Sequence, residues 1–71
     1  MACVNPDGTV TPSAISILTA LRSADTAELI APLAGLPLFR VRSALRELVT
    51  AGLVEVVDGH HRLTDAGLGR L

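Results

Sequence analysis

The chain has 71 residues, six Arg and no Lys against seven acids, and a formal net charge of −1. That length is one domain, and an apolar content of 49%, nearly all Ala, Val, Leu and Ile, excludes intrinsic disorder. The single cysteine, Cys3, excludes a disulfide scaffold and reads as a small apolar filler in a reducing compartment, and the slightly negative charge excludes a basic chromatin-type protein. Residues 1–10 open the chain with β-prone pairs on either side of Asn5-Pro6-Asp7-Gly8. Pro second and Gly fourth suit a type I turn followed by a bulge, so a short N-terminal hairpin is expected.

Thr11-Pro12 is a helix start, with Thr as N-cap and Pro at the first helical position. The first helix is predicted over 12–22, with Ala14, Ile15, Leu18 and Leu21 on its apolar face. A second is predicted over 26–34, opened by Asp25 and Glu28 as a capping box. Its apolar face reads Leu29, Ile30 and Leu33. Pro32 removes one backbone bond and predicts a kink or a short helix. Gly35 is a left-handed stop.

A third helix is predicted over 38–51. Val41, Ala44, Leu45, Leu48 and Gly52 share one side, while Phe39, Ser43, Arg46 and Thr50 share the other, flanked by Arg40 and Arg42. Gly52 ends it, with Leu53 as the following apolar contact. Residues 54–63 read as two strands joined by Asp58-Gly59, a two-residue hairpin turn. Thr64 caps a last helix over 65–71, weakened by Gly67 and Gly69.

Two helices joined by a tight glycine turn make a helix-turn-helix unit, and a hairpin directly after its second helix is a wing. From Asp25 onward the chain resembles the winged helix-turn-helix family, in particular the DNA-binding core of bacterial regulators of the MarR and ArsR type. The resemblance rests on Glu28-Leu29-Ile30 and Gly35-Leu36, then Val41-Arg42-Ser43-Ala44-Leu45-Arg46-Glu47-Leu48. It continues through Ala51-Gly52-Leu53-Val54 and Arg62-Leu63-Thr64-Asp65-Ala66-Gly67. It covers about two thirds of the chain and implies an α+β, mostly helical winged helix with double-stranded DNA as partner.

The physics of such a partner is direct. A major groove about 12 Å wide admits one helix, and early outward residues of that helix face the base edges. The candidates are Leu38, Phe39, Arg40, Arg42, Ser43 and Arg46. Arg42, Ser43 and Arg46 read bases. Arg40 positions the complex, and Arg62 of the wing, with His60 or His61, follows the backbone or minor groove. Residues 38–63 carry four Arg against Glu47, Glu55 and Asp58, and the remaining residues two Arg against four acids. Three or four arginines bind weakly alone, because counterion release grows with each phosphate neutralised. A transcriptional regulator acting as a homodimer is therefore expected.

Each feature also has a plainer reading. The arginines equally suit a solvated helix face, with Glu47 close enough to pair locally. Pro37-Leu38-Phe39 stands where such recognition helices begin with small polar residues. Leu38, Phe39 and Val4 of the N-terminal hairpin therefore form an alternative protein-interaction or dimerisation surface. Phe39 equally suits packing beneath that hairpin. His60 and His61 point to opposite faces of a strand and cannot readily share a metal. No nucleophile–base motif, phosphate-cradling glycine loop or metal cluster is present. Neither enzyme activity, cofactor nor small-molecule ligand is expected. No apolar run approaches the roughly 20 residues that span a bilayer, and the N-terminus lacks the features of an export signal. A cytoplasmic protein without a membrane partner is expected.

Overall fold

Threonine starts three of the helices. In the computed structural model, which describes residues 4–71, α1 (Pro12–Ala20) follows Thr11, α2 (Ala27–Ala34) follows Thr26, and α3 (Leu38–Thr50) follows Pro37. Strands β1 (Val54–Val57) and β2 (His60–Leu63) come next, and a last turn, α4 (Asp65–Leu68), follows Thr64. The oxygens of Thr11, Thr26 and Thr64 accept from the backbone N–H of Ala14 (3.3 Å), Leu29 (3.3 Å) and Gly67 (3.1 Å). Each bond satisfies a donor that a helix start leaves without a partner. Three helices followed by a two-stranded antiparallel hairpin form a small α+β arrangement, compatible with a winged helix. No helix among the described residues is long and apolar enough to cross a membrane.

Helices α2 and α3 end at left-handed glycines. Gly35 ends α2 at φ 69°, and Leu36 N–H reaches back to the Ala31 carbonyl at 3.1 Å. Gly52 follows α3 at φ 78°, and Leu53 N–H reaches the Leu48 carbonyl at 3.0 Å. Both are left-handed caps that satisfy final-turn carbonyls. The hairpin pairs Val57 with His60 across Asp58 (φ 52°) and Gly59 (φ 78°), the two positive angles of a type I′ turn. The core comprises Ile17 and Leu18 of α1, Ile30 of α2, Val41, Leu45 and Leu48 of α3, and Val54 of β1, all essentially inaccessible.

Several expectations need correction. The turn at Asn5-Pro6-Asp7-Gly8 forms, with Gly8 N–H on the Asn5 carbonyl at 2.9 Å. Among the described residues no pair of strands extends from it. A single antiparallel bridge joins Val4 to Val10, because Thr11 already caps α1. Residues 1–3, including Cys3, lie outside the described residues. The Asp7 carboxylate accepts from Thr9 Oγ1 (2.7 Å) and Thr9 N–H (3.0 Å), which hold its pKa below the ordinary value.

Asp25 does not cap α2. Its carbonyl accepts from His61 N–H at 2.8 Å and its carboxylate lies 2.9 Å from His60 Nδ1, so Thr26 takes the cap instead. Leu29 and Leu33 of the expected α2 face are 56% and 61% exposed. The buried side of α2 is Ala27, Ile30 and Ala31, whose small alanines let the helix backbone lie close to the core. On α1, Ile17 is fully buried and Ile15 only partly so. Gly52 is exposed just beyond α3, and α1 and α4 stop two and three residues short of their predicted ends.

Gly67 marks the tightest contact. A Cβ placed there would lie 2.0 Å from the Leu53 carbonyl oxygen and 3.2 Å from Leu63 Cδ2. The first neighbour is backbone and cannot swing aside. Gly67→Ala is therefore expected to destabilise the fold by about 1–3 kcal/mol, the usual range for overpacking, read as a lowered urea midpoint. An unchanged midpoint would show that α4 does not bear on the hairpin base.

Candidate nucleic-acid interface

The outer face of α3 is built by exclusion. Val41, Ala44, Leu45 and Leu48 turn inward at helical spacing, which leaves Arg40, Arg42 and Arg46 exposed and Ser43 half-buried. At the start of the helix, Leu38 packs against the core while Phe39 stands 71% exposed. Pro37 offers no side-chain cap, and among the described residues the backbone N–H groups of Leu38 and Phe39 have no hydrogen-bond partner. That helix start carries free donors and the positive end of the helix dipole.

The hairpin stands beside this face. An open groove of about 710 Å³ separates them, lined on α3 by Arg42, Leu45, Arg46 and Val49 and on the hairpin by Val56, Gly59 and His61. Thr26, Ala27 and Glu28 close one end. The structure thus brings Arg42, Arg46 and His61 to one place. Arg40 does not line the groove and lies on the opposite flank of the same helix. Arg62 is placed elsewhere, over a hollow that it shares with Arg22 and Asp25. Val4 is half-buried against the core and is not beside Phe39 in any cavity lining.

The arginines differ in what holds them. Arg42 Nη2 lies 3.5 Å from Glu28 Oε2, and Arg62 Nε lies 2.6 Å from Glu55 Oε1. Arg40 and Arg46 make no ion pair among the described residues. Glu47, expected as the local partner, pairs with none of them. Glu28 takes that role from the neighbouring helix, which sequence spacing within α3 had no means of revealing. Each existing pair is about half exposed to water, where such interactions are weak and salt-screened. A phosphate can displace the carboxylate in either case.

His61 is half-buried, and its Nδ1 has no partner among the described residues. No group of three His, Cys, Asp or Glu among the described residues comes together to hold a metal ion. Compared with family models, with curated proteins and with solved structures, the chain matches none.

Because the Arg42–Glu28 contact is long and exposed, Glu28→Gln is expected to change unfolding stability by less than about 1 kcal/mol. Chemical denaturation measures this. A loss of several kcal/mol would make the pair a structural tie rather than an exchangeable one.

Proposed function

We propose that this chain is a winged helix-turn-helix protein that binds double-stranded DNA, with α3 in the major groove and the hairpin against the adjacent backbone. It acts as a transcriptional regulator and as a homodimer. The observation that carries the reading is the outer face of α3. It presents Arg40, Arg42 and Arg46 beside an uncapped helix start, and none of the three pairs with an acid of its own helix. Free N–H groups at a helix start favour phosphate, and arginines one turn apart suit guanine edges or phosphates. Arg42, Ser43 and Arg46 read bases in this proposal, while Arg40 and His61 position the complex; Arg62, expected to share that role, faces away from the groove.

A second reading has its own support. Leu29, Leu33 and Phe39 leave more than half of their area in water. Large exposed apolar side chains are a common feature of protein-interaction surfaces. In that reading the arginines are a solvated face.

Salt separates the two. Duplex affinity should fall steeply between low and physiological ionic strength, whereas an apolar association persists. Arg42→Ala combined with Arg46→Ala is expected to weaken duplex binding by at least about tenfold, since one base or phosphate contact is worth about 1–3 kcal/mol. The melting temperature should stay close to that of the parent, because both side chains are exposed. Unchanged affinity in the double variant would overturn the reading.

A further inference from the structure

Phe39 is the chain's one aromatic residue, and its ring is left in water. A chain this short has little core to spare, and a phenyl ring is among the largest apolar areas it could bury. Leu38 beside it packs against the core, while Phe39 stays 71% exposed, more than any other large apolar side chain among the described residues. The fold does not need the ring where it stands, so a partner must account for it.

Its surroundings on α3 are cationic rather than apolar. Phe39, Arg42, Ser43 and Arg46 stand at i, i+3, i+4 and i+7, which makes one stripe along the outer side of the helix. Arg40 lies on the other flank of that stripe. The unpartnered N–H groups of Leu38 and Phe39 lie at the same end. Leu29 and Leu33, the next most exposed apolar residues, belong to α2. A ring set among arginines and free donors suits a polyanion that also carries an apolar group.

The major groove of duplex DNA holds one such group. Its base edges present ring-nitrogen and carbonyl acceptors and amino donors, and the exception is the C5-methyl of thymine. A ring pressed on the polar edges would strip them of water and give no bond in return. Against the methyl it buries apolar area on both sides. 5-Methylcytosine carries the same methyl group.

We propose that Phe39 is a specificity-determining residue that recognises a pyrimidine C5-methyl group, on the base pair next to one whose guanine meets Arg42. The inference rests on the DNA-binding reading above and adds a preference to it. Three residues advance about 4.5 Å along a helix, close to the roughly 3.4 Å between successive base pairs. Phe39 and Arg42 therefore fall on neighbouring pairs. The step they read together is a thymine, or a 5-methylcytosine, beside a guanine.

Fluorescence anisotropy of the full chain with three short duplexes, at salt on the order of 50 mM, tests the proposal. The first pairs an alternating thymine–guanine strand with an alternating cytosine–adenine strand, so every register offers a thymine beside a guanine. The second replaces each thymine by uracil, which removes only the methyl groups. The third keeps uracil and places 5-methylcytosine in the other strand. The parent is expected to bind the thymine duplex about fourfold more tightly than the uracil duplex, the worth of one buried methyl group. In Phe39→Ala the two duplexes are expected to bind alike, with the parent's circular dichroism spectrum because the ring is exposed. Recovered affinity in the third duplex extends the contact to methylcytosine, and no recovery assigns it to thymine alone. Equal binding of the first two duplexes by the parent would overturn the proposal, as would discrimination that survives in Phe39→Ala. Self-association abolished by Phe39→Ala, with no effect of the methyl, would make the ring a protein contact instead. Absence of binding to every duplex fails the DNA-binding reading and this inference with it, whereas binding blind to the methyl fails this inference alone.

Discussion

The orientation of the hairpin depends on one junction, where the chain leaves α3 and where it returns from β2. Leu53 N–H turns back onto the Leu48 carbonyl, and its own carbonyl receives Thr64 N–H. Thr64 adds a second tie, its hydroxyl donating to the Gly52 carbonyl at 2.6 Å while accepting from Gly67 N–H. The bare Cα of Gly67 then lies directly over the Leu53 carbonyl. These five contacts lock the residues that flank the hairpin to each other and to the end of a buried helix. A two-stranded hairpin alone is marginal in water. This one is held from its base, and the groove beside α3 exists because the hairpin cannot lean.

Stability and surface chemistry occupy separate parts of the molecule. The core is aliphatic and holds no buried polar or charged residue among those described. The polar side-chain contacts lie outside it, joining α2 to α3 through Glu28 and Arg42, and the α1–α2 connection to the hairpin through Asp25 and His60. Each is about half in water and contributes little to folding. The same weakness suits a surface that must trade a carboxylate for a phosphate, because releasing the carboxylate costs the fold almost nothing.

Local chemistry was legible in the sequence, and tertiary choice was not. Thr11-Pro12, Gly35, Gly52, Asp58-Gly59 and the capping bond of Thr64 each act on residues no more than five positions away, so these roles follow from spacing alone. The buried faces were harder. Leu29 and Leu33 read as core by hydrophobicity, yet the alanines of α2 allow a closer approach and the leucines are left in water. Asp25 is as good a cap as Thr26 on paper, and only the hairpin 35 and 36 residues later draws it away. For the site, the outward set on α3 follows from helical period. The partner of Arg42 comes from another helix, and Arg62 faces away from the groove because alternate strand residues take opposite sides.

The proposed surface for duplex DNA is the outer face of α3 together with the groove beside the hairpin. Amide shift mapping with a generic duplex, at salt on the order of 50 mM where phosphate contacts are strongest, tests it most directly. Shifts confined to residues 38–46 and the hairpin are expected, fading as salt is raised. An absence of shifts, or shifts centred on α1 and the outer leucines of α2, would contradict it.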